Sequence, residues 1–311
     1  MSQIFQSQSS SPHYRQVAIV GVGLMGGSIG LALRERQLAD EVVGIGRRQS
    51  SLKKALACGA VDRVTTDLAA GVAEAEVVVV AAPINWVPRL VREVAVTSPA
   101  HGLITDVGSV KQAICQELAS LESFIGSHPL AGDHRSGPEN ARSDLLTGKL
   151  VVVTPLVIRG QKKISKDKLA NLGDTSERLS AGIQPRTGIQ QRVTHFWESL
   201  GASVEQLDPE EHDRALAATS HLPHWIASAL AGATPEKWLP LVATGWRDTT
   251  RIAAADAELW GQIFTENKSG LFESLDRFIE RLEQMRSVLE SGKPLPPLLN
   301  EAKRIRNAVG D

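Results

Sequence analysis

A histidine among small residues, in GSHPLAG at residues 126–132, is the first candidate for chemistry in this sequence. His128 ends an apolar run and opens a polar loop, as expected at the carboxyl end of a strand, where open α/β sheets bind ligands. A neutral imidazole, with a pKa of about 6.5, exchanges protons near neutral pH. The small neighbours would leave room for a ligand. His128 is therefore a candidate for acid–base chemistry, with a buried structural histidine as the alternative.

A glycine loop in VAIVGVGLMGGSIGLAL, residues 17–33, is the second candidate. Three glycines have GxGxxG spacing between an apolar run and a helical run: the first permits a tight turn, the second lets the backbone approach a pyrophosphate, and the third lets the helix pack on the strand. The helix N-terminus would supply N–H groups to the phosphates. The pattern predicts a dinucleotide site, with a glycine-rich packing turn as the alternative. The cofactor residues assigned here are Gly21, Gly23, Leu24, Met25, Gly26 and Pro83.

The residues after the second apolar run, GIGRRQSS at 44–51, bear on the choice of cofactor. An NAD site usually has an acidic residue about 20 positions after the glycine loop, bonded to the ribose 2′-hydroxyl. No Asp or Glu lies in this run, and its arginines offer cations that suit a 2′-phosphate. The sequence therefore favours NADP over NAD, while solvated arginines at a strand end are the alternative. The residues assigned to this part of the site are Arg47, Arg48, Gln49 and Ser50.

Short apolar runs alternate with helical stretches between residues 16 and 155. Several runs are apolar without alternation, which is typical of strands buried on both faces of a parallel sheet. Repeated strand–helix pairs predict a doubly wound, Rossmann-type α/β domain. Helices are expected in the gaps, for example over 109–121, and again at 191–200. The expected strands are 16–20, 42–46, 76–83, 103–107, 124–129, 150–155 and 202–208.

The length of 311 residues favours two domains. From Pro209 onward the chain has a helical pattern, and Asp208 suits the cap of the first helix. A polar segment without aromatics, residues 159–190, predicts a flexible surface insertion. The expected parts are a disordered lead-in at 1–14, a dinucleotide-binding domain at 15–208 that contains the insertion, and an all-helical substrate and dimerisation domain at 209–311.

Composition and charge argue against a nucleic-acid-binding protein, a membrane-spanning protein and a secreted protein. Apolar residues make up 42% of the chain, enough to bury a core, and the formal net charge is −1 with both signs dispersed. That balance argues against a nucleic-acid surface, which needs clustered Lys and Arg. No run reaches the ~18 apolar residues of a membrane span, and the start lacks the pattern of a signal peptide, so a cytoplasmic protein is expected. Cys58 and Cys115 have no metal spacing and are expected to be buried thiols, and no metal site is expected.

Further motifs follow the glycine loop in order: TDVGSVK at 105–111, GSHPLAG, SHLPH at 220–224 and RDTTRIAAAD at 247–256. With these residues the chain resembles the prephenate/arogenate dehydrogenase family of tyrosine biosynthesis, from about residue 16 to about residue 285 apart from the insertion. The resemblance implies an NAD(P)-dependent oxidoreductase that acts on a small molecule, prephenate or arogenate. It also implies a homodimer formed through the helical domain, with the active site between the domains.

The family's reaction makes a phenol from a 4-hydroxycyclohexadienyl acid. The carbinol C–H leaves as hydride, the hydroxyl proton goes to a base and the ring carboxylate leaves as CO2, and aromatisation drives the reaction. The resemblance assigns the base role to His128. It assigns Ser109, in VGSVK, to a hydrogen bond that holds the substrate hydroxyl and orients the histidine, although Ser109 could equally cap its helix. Lys111 follows the same motif without a defined role.

Three residues of the helical part are assigned to the substrate by the same resemblance. Arg251, in TRIA, corresponds to an arginine that binds a substrate carboxylate, for which a guanidinium offers two parallel hydrogen bonds; a surface ion pair is the alternative. His224 corresponds to a substrate-contacting residue, with a hydrogen-bonded core histidine as the alternative, whereas His221 is expected to be structural.

The third residue, Asp248, bears on the substrate. Arogenate carries an ammonium where prephenate carries a keto group, so an acid near that end favours arogenate by charge pairing. Acids at this position occur in prephenate enzymes of the family too, so Asp248 favours arogenate only mildly. Asp133 and His134, directly after HPLAG, are expected to line the same site.

Two other interpretations remain open at this point. One is another two-domain NADP-dependent dehydrogenase, of the β-hydroxyacid dehydrogenase or imine reductase type, which would lack the combined HP, SHLPH and TRIA motifs. The other is a non-catalytic NADP-binding sensor that kept the fold, which would be expected to lose His128 or Ser109. The favoured function is an NADP-preferring prephenate/arogenate dehydrogenase.

Overall fold

The structure is a computed structural model that describes residues 12–99, 102–132, 135–155 and 187–310. Its strands are β1 (Tyr14–Val20), β2 (Ala39–Ile45), β3 (Arg63–Thr65), β4 (Val77–Val80), β5 (Leu103–Asp106), β6 (Phe124–Pro129), β7 (Leu150–Thr154) and β8 (Ser203–Gln206). They form one eight-stranded sheet in the order β3-β2-β1-β4-β5-β6-β7-β8. Strands β1 to β6 run parallel, β7 is antiparallel to β6, and β8 is parallel to β7. This is the doubly wound α/β class that the sequence predicts.

Helices follow most strands and then dominate the C-terminal part. In the first part they are α1 (Leu24–Glu35), α2 (Gln49–Ala57), α3 (Leu68–Val72), α4 (Val87–Thr97), α5 (Gln112–Glu117) and α6 (Thr187–Ser199). In the C-terminal part they are α7 (Pro209–Leu216), α8 (Leu222–Ala233), α9 (Thr244–Thr250), α10 (Ala257–Glu266), α11 (Lys268–Glu290) and α12 (Pro296–Asn307). Short turns of 3-10 helix lie at Ile84–Trp86, Pro138–Asn140, Glu236–Leu241 and Arg251–Ala254, and a π-helical turn lies at Ala217–His221.

The sheet is covered on both faces, which explains its unbroken apolar runs. Along β1, Val17 and Ile19 point into a core shared with α1 and α6, where Trp197 is fully buried. The alternate residues Ala18 and Val20 point into a second core, shared with α4 and α5. Because successive side chains of a strand face opposite sides, most residues of a doubly covered strand are apolar or small, and the buried polar residues need hydrogen-bond partners.

The strand positions follow the sequence expectations closely, with a few differences. β6 spans the expected 124–129, and the other expected strands overlap the observed ones. β3, with the sequence RVT, was not expected, because three residues give no periodic signal. Tyr14, assigned by sequence to a disordered lead-in, begins β1: it pairs with Ala39 and is 9% exposed. Residues 1–11 of that lead-in lie outside the described residues.

Two expected helices differ in length. The helix expected over 109–121 is confined to α5, because the residues before it form the turn that follows β5. The helix expected at 191–200 begins earlier, at Thr187, so the last residues of the expected insertion are helical. The remainder of that insertion falls within 156–186, outside the described residues.

Two compact units divide the chain. The first contains the described residues of Met1–Asp213 together with Ala257–Glu266, and the second those of Arg214–Asp256 and Asn267–Asp311. The sequence places the boundary between 208 and 209, whereas this division falls inside α7 and returns α10 to the first unit. The helix α10 belongs there because Ile263, 3% exposed, packs in the core that contains α4 and α5.

Among the described residues, no helix combines the length and the apolar character that a membrane crossing requires.

Candidate active site

The glycine loop joins β1 to α1, and its three glycines differ in the space that a side chain would have. Gly21 has a φ of 102°, and a Cβ there would lie 2.2 Å from the carbonyl oxygen of Ala81. A Cβ at Gly26 would lie 2.0 Å from the carbonyl oxygen of Gly21. A Cβ at Gly23 would meet no atom within 4 Å, and Gly23 is the N-cap residue of α1, which has no side-chain cap. Gly21 and Gly26 therefore serve the turn and its packing, whereas Gly23 opens the helix N-terminus to a ligand.

The loop lies where the strand order of the sheet reverses. β1 pairs with β2 on one side and with β4 on the other, so the connections on its two sides run in opposite directions. Pro83 follows β4 at the same edge and begins the turn Ile84–Trp86. Leu24 and Met25, in the first turn of α1, are half-buried. This crevice is where open parallel sheets bind dinucleotides, and the open Gly23 backbone fits a pyrophosphate.

The arginines after β2 lie beside an aromatic ring. The guanidinium of Arg47 is 4.8 Å from the centroid of Trp86, and that of Arg89 is 5.6 Å from it. Arg48 is the N-cap of α2 and makes no side-chain cap bond. The first N–H groups of α2 thus lack a side-chain cap next to two exposed arginines. The helix begins with Gln49 and Ser50, which are both exposed.

Sequence reasoning missed Trp86. A tryptophan in PINW, directly after the assigned Pro83, was the available signal.

His128 and Ser109 follow neighbouring strands. His128 lies next to the last residue of β6 and is 8% exposed. Ser109 lies in the loop after β5 and is half-buried. Because β1, β4, β5 and β6 are parallel, their carboxyl ends share one edge of the sheet. The first unit therefore brings the glycine loop, Pro83, Ser109 and His128 to the same edge.

A buried ion pair fixes the loop of Ser109 to the strand of His128. Lys111 and Asp106 are both 0% exposed, and the ammonium of Lys111 bonds the carboxylate of Asp106. The ammonium also donates to the carbonyl oxygen of Ser127 at 3.0 Å, and Asp106 accepts from the amides of Gly108 at 2.8 Å and Ser127 at 3.1 Å. These bonds give Lys111, left without a role by the sequence, a structural role. A buried ion pair whose hydrogen bonds are satisfied in this way holds the loop of Ser109 and the end of β6 in one geometry.

The alternative role of Ser109, as the cap of the following helix, is filled by another residue. α5 begins after Lys111, which makes no side-chain cap bond. The carboxylate of Asp213 accepts the amides of Lys111 at 2.8 Å and of Gln112 at 2.9 Å. His212, next to it, contacts Asp213 through Nδ1 at 2.7 Å and His128 through Nε2 at 2.9 Å. Sequence reasoning missed both residues, because nothing local in EEHDRAL relates them to a strand 84 residues earlier.

The second unit carries the histidines of SHLPH. His224 lies in the first turn of α8 and is 4% exposed, and burial lowers the pKa of its imidazole. His221 ends the π-helical turn and is 1% exposed; Asn267 Nδ2 donates to its Nδ1 at 3.1 Å. This bond fits the structural role expected for His221. Single π-helical turns are frequent at functional sites.

The other two substrate candidates lie on elements that contact α8. Asp248 is in α9, and Arg251 begins the turn Arg251–Ala254; both side chains are exposed. α8 packs against both α9 and that turn. Trp246 of α9 donates its Nε1–H to Thr234 Oγ1, at the end of α8, at 3.0 Å. The second unit thus brings His224, Asp248 and Arg251 onto adjoining elements.

Of the two cysteines, only one is buried. Burial raises the pKa of the Cys115 thiol to about 11. Cys58 is exposed, contrary to the sequence expectation, because it lies at the C-terminal end of α2.

Asp133 and His134, expected to line the site, lie outside the described residues. In the described ranges, no group of three or more His, Cys, Asp or Glu residues is placed to hold a metal ion.

Two protein-family profiles and a curated relative match this chain. The profile of the nucleotide-binding domain of prephenate dehydrogenase matches residues 29–173, and that of its dimerization domain matches residues 208–298. The prephenate dehydrogenase of Bacillus subtilis (strain 168) is 32% identical over 287 residues, which cover 88% of this chain and 70% of the relative.

Solved structures show the same likeness. A crystal structure of prephenate dehydrogenase from A. aeolicus, in complex with hydroxyphenyl propionate and NAD+, has a TM-score of 0.78 and 30% identity, and the match covers 95% of this chain and 98% of that one. The structure of Synechocystis arogenate dehydrogenase has a TM-score of 0.73 and 26% identity, with 94% and 99% covered. With a dinucleotide crevice, the motifs in order and these likenesses over nearly the whole length, the chain belongs to the prephenate dehydrogenase family of NAD(P)-dependent oxidoreductases.

Proposed function

We propose that this chain catalyses the oxidative decarboxylation of prephenate or arogenate, with NADP and arogenate favoured. The observation that carries the proposal is the position of His128, buried near the carboxyl end of β6 at the sheet edge that also holds the glycine loop. A proton acceptor beside a dinucleotide crevice suits a reaction in which a hydroxyl loses its proton while its carbon loses a hydride.

The chain's own residues account for the proton and the charges of this reaction. The glycine loop would hold a nicotinamide dinucleotide, which would supply the acceptor for the hydride that leaves the carbinol carbon. Ser109 holds the substrate hydroxyl, and His128 takes its proton as the C–H bond breaks. The ring carboxylate then leaves as CO2, its bonding electrons enter the ring, and His128 returns the proton to the oxygen of the new phenol. The proton taken in the first step is thus returned in the last.

The second unit supplies the proposed substrate-binding residues. Arg251 is exposed and offers a planar guanidinium that can bind a carboxylate through two hydrogen bonds. His224 is buried, and its lowered pKa keeps the imidazole neutral near pH 7, so it contacts the substrate through hydrogen bonds without adding a charge. Asp248 lies in α9, which ends just before Arg251, and we propose that its negative charge pairs with the ammonium of arogenate.

The preference for NADP is supported by the residues around the start of α2. Arg47 and Arg48 provide positive charge, and the uncapped N-terminus of α2 provides N–H groups for an anion. The contact with Trp86 restrains Arg47, so less side-chain freedom is lost when a phosphate binds. No acidic residue in GIGRRQSS is available to bond a ribose 2′-hydroxyl.

One assay tests the proposal. Initial rates are measured with prephenate and with arogenate, each with NAD and with NADP. We expect turnover with both substrates, the highest kcat/KM for arogenate with NADP, and a lower one when NAD replaces NADP. An absence of turnover in all four combinations would contradict the proposed function. A preference for NAD would contradict only the cofactor assignment, and a preference for prephenate only the substrate assignment.

We also propose that the chain forms a homodimer through its helical unit. The matched dimerization profile supports this, and so does the surface of α11. There, four exposed apolar side chains follow one another at heptad or half-heptad spacing, which is the pattern of a helix that packs against another helix. They are Phe272 (45% exposed), Ile279 (42%), Leu282 (48%) and Leu289 (66%).

A further inference from the structure

Three buried side chains form a hydrogen-bonded row behind the proposed base. His128 Nδ1 lies 2.9 Å from His212 Nε2, and His212 Nδ1 lies 2.7 Å from Asp213 Oδ1. The three residues are 8%, 0% and 2% exposed, in that order. His212 and Asp213 lie on α7, whereas His128 lies on β6, so the row joins two elements of the first unit.

The surroundings of Asp213 fix the direction of these hydrogen bonds. Its oxygens accept the amides of Lys111 at 2.8 Å and Gln112 at 2.9 Å. An ionised carboxylate only accepts, and the N-terminus of α5 favours its negative charge. The third contact, from His212 Nδ1, is then a donated N–H. A neutral His212 that carries its proton on Nδ1 accepts at Nε2.

The same logic assigns the tautomer of His128. Its Nδ1 faces the accepting Nε2 of His212, so Nδ1 of His128 carries the proton and donates it. The lone pair of the neutral ring is then on Nε2. The two histidine rings meet at 66° with their centroids 5.1 Å apart, a T-shaped arrangement that also limits rotation of the His128 ring.

We infer that His212 and Asp213 are positioning residues for the base: they hold His128 in the Nδ1–H tautomer, which directs Nε2 at the substrate hydroxyl, and stabilise the imidazolium formed by proton uptake. This inference rests on the proposed function for its role in turnover. The proton moves from the substrate oxygen to Nε2 of His128 and later returns, while the carboxylate of Asp213, bonded to His212 Nδ1, offsets the charge of the positive ring. Among the described residues, Lys111 and Asp106 are charged groups near this row, and they bond each other.

In other enzymes, a buried carboxylate bonded to a catalytic histidine sets the tautomer of that histidine, and Asp213 has the corresponding position here. Here a second imidazole separates the acid from the base. The carboxylate is also the cap of α5, the helix after the Ser109 loop, so one side chain orients the base and anchors the segment next to it.

A first experiment observes the tautomer and needs no substrate. In full-length protein labelled with ¹⁵N-histidine, the ring of neutral His128, identified by the signals lost in His128→Asn, is expected to show a protonated Nδ1 and an unprotonated Nε2. In His212→Leu, Nδ1 loses its acceptor, and the ring is expected to shift toward the Nε2–H tautomer. An Nε2–H ring in the unsubstituted protein would overturn the inference, whichever substrate the enzyme uses.

A second experiment measures kcat, KM and the pH profile of kcat/KM. His212→Leu is expected to lower kcat by about 10²-fold, the lower end of general-base contributions, with KM changed little. The acidic limb of its pH profile should move to lower pH, because the His128 imidazolium loses the hydrogen bond to His212 that links it to Asp213. His212→Gln is the matched control, since its amide oxygen can accept from Nδ1 and should restore part of kcat. A uniform loss at all pH values, equal in Leu and Gln variants, would show a merely structural role and overturn the inference.

These two experiments separate the two proposals. If the tautomer is Nδ1–H but neither prephenate nor arogenate is turned over, the proposed function fails and the orientation of His128 stands. If both substrates are turned over by a protein with an Nε2–H ring, the proposed function stands and the inference fails.

Discussion

His128 offers the most direct test among single residues. His128→Asn keeps the polarity and approximate size of the side chain but removes the proton acceptor at Nε2. We expect kcat to fall by about 10²–10⁴-fold, the usual contribution of a general base. The Kd of NADP and the KM of the substrate should change little. Steady-state kinetics and a nucleotide-binding titration measure both effects, and a near-normal kcat would remove His128 from the mechanism.

The arginines after β2 are tested through the ratio of the two cofactors. Arg47→Ala combined with Arg48→Ala removes the positive charges beside the start of α2. Each charge-assisted hydrogen bond lost from a 2′-phosphate costs about 1.5–3 kcal/mol, so kcat/KM for NADP should fall at least about tenfold. NAD lacks this phosphate and should be affected much less.

Trp86→Leu serves as a milder companion, because it removes the ring beside Arg47 and leaves both charges in place. We expect it to weaken NADP less than the double arginine variant. Equal losses for NAD and NADP in the double variant would mean that no 2′-phosphate is recognised there.

The charge of Asp248 is tested through the ratio of the two substrates. Asp248→Asn keeps the size of the side chain and removes the charge that would pair with the ammonium of arogenate. Asp248 is exposed, so solvent limits such a pair to about 1 kcal/mol, which corresponds to about fivefold in kcat/KM. Arogenate efficiency should fall by that factor while prephenate efficiency holds or rises. A parallel loss of both substrates would instead show that Asp248 supports the local structure, for example the position of Arg251.

The connection between β1 and α1 is tested by two glycine substitutions with opposite expected effects. Gly26→Ala places a methyl group 2.0 Å from the carbonyl oxygen of Gly21, so α1 must move away from β1. Gly23→Ala meets no atom within 4 Å. We expect Gly26→Ala to lower the unfolding free energy by about 1–3 kcal/mol or more, the typical cost of overpacking. Gly23→Ala should leave stability almost unchanged and raise the Kd of the nucleotide, because its methyl group occupies the pyrophosphate approach.

Thermal unfolding and nucleotide titration of the two variants check this pair. The opposite pattern, a stable Gly26→Ala and an unstable Gly23→Ala, would contradict the roles assigned to the two glycines.

Strands and turns that have a local residue pattern could be predicted from the sequence, whereas contacts between residues far apart in the sequence could not. Unbroken apolar runs predicted the strands, and the spacing of Gly21, Gly23 and Gly26 predicted the turn that the structure contains. β3 was missed because three residues carry no period. The cap of α5 was missed because its acceptor, Asp213, lies 102 residues from Lys111. No helix-capping rule that uses neighbours in sequence can find such an acceptor.

At the scale of the whole molecule, the exposed apolar side chains of α11 predict the oligomeric state. Leu282→Lys places a charge in the heptad-spaced row and should shift the protein from dimer toward monomer, since burial of an unpaired charge is costly. Val96→Lys is the control: Val96 is 89% exposed on α4, in the first unit, outside that row. Sedimentation equilibrium across a range of concentrations measures the dissociation constant. A dimer unaffected by Leu282→Lys, or a monomeric unsubstituted protein, would contradict the proposed interface.

The position of His212 and Asp213 also has a consequence for exchanging parts between relatives. A nucleotide-binding module cut after Asp208, where the sheet and its connections are complete, would leave both residues behind. Grafted onto another helical partner, such a module would keep its dinucleotide crevice, but the start of α5 would lose its cap and the ring of His128 would lose its acceptor. A chimaera that keeps catalytic competence must therefore carry α7 at least through Asp213 together with the sheet, so the exchangeable module ends beyond the apparent end of the sheet.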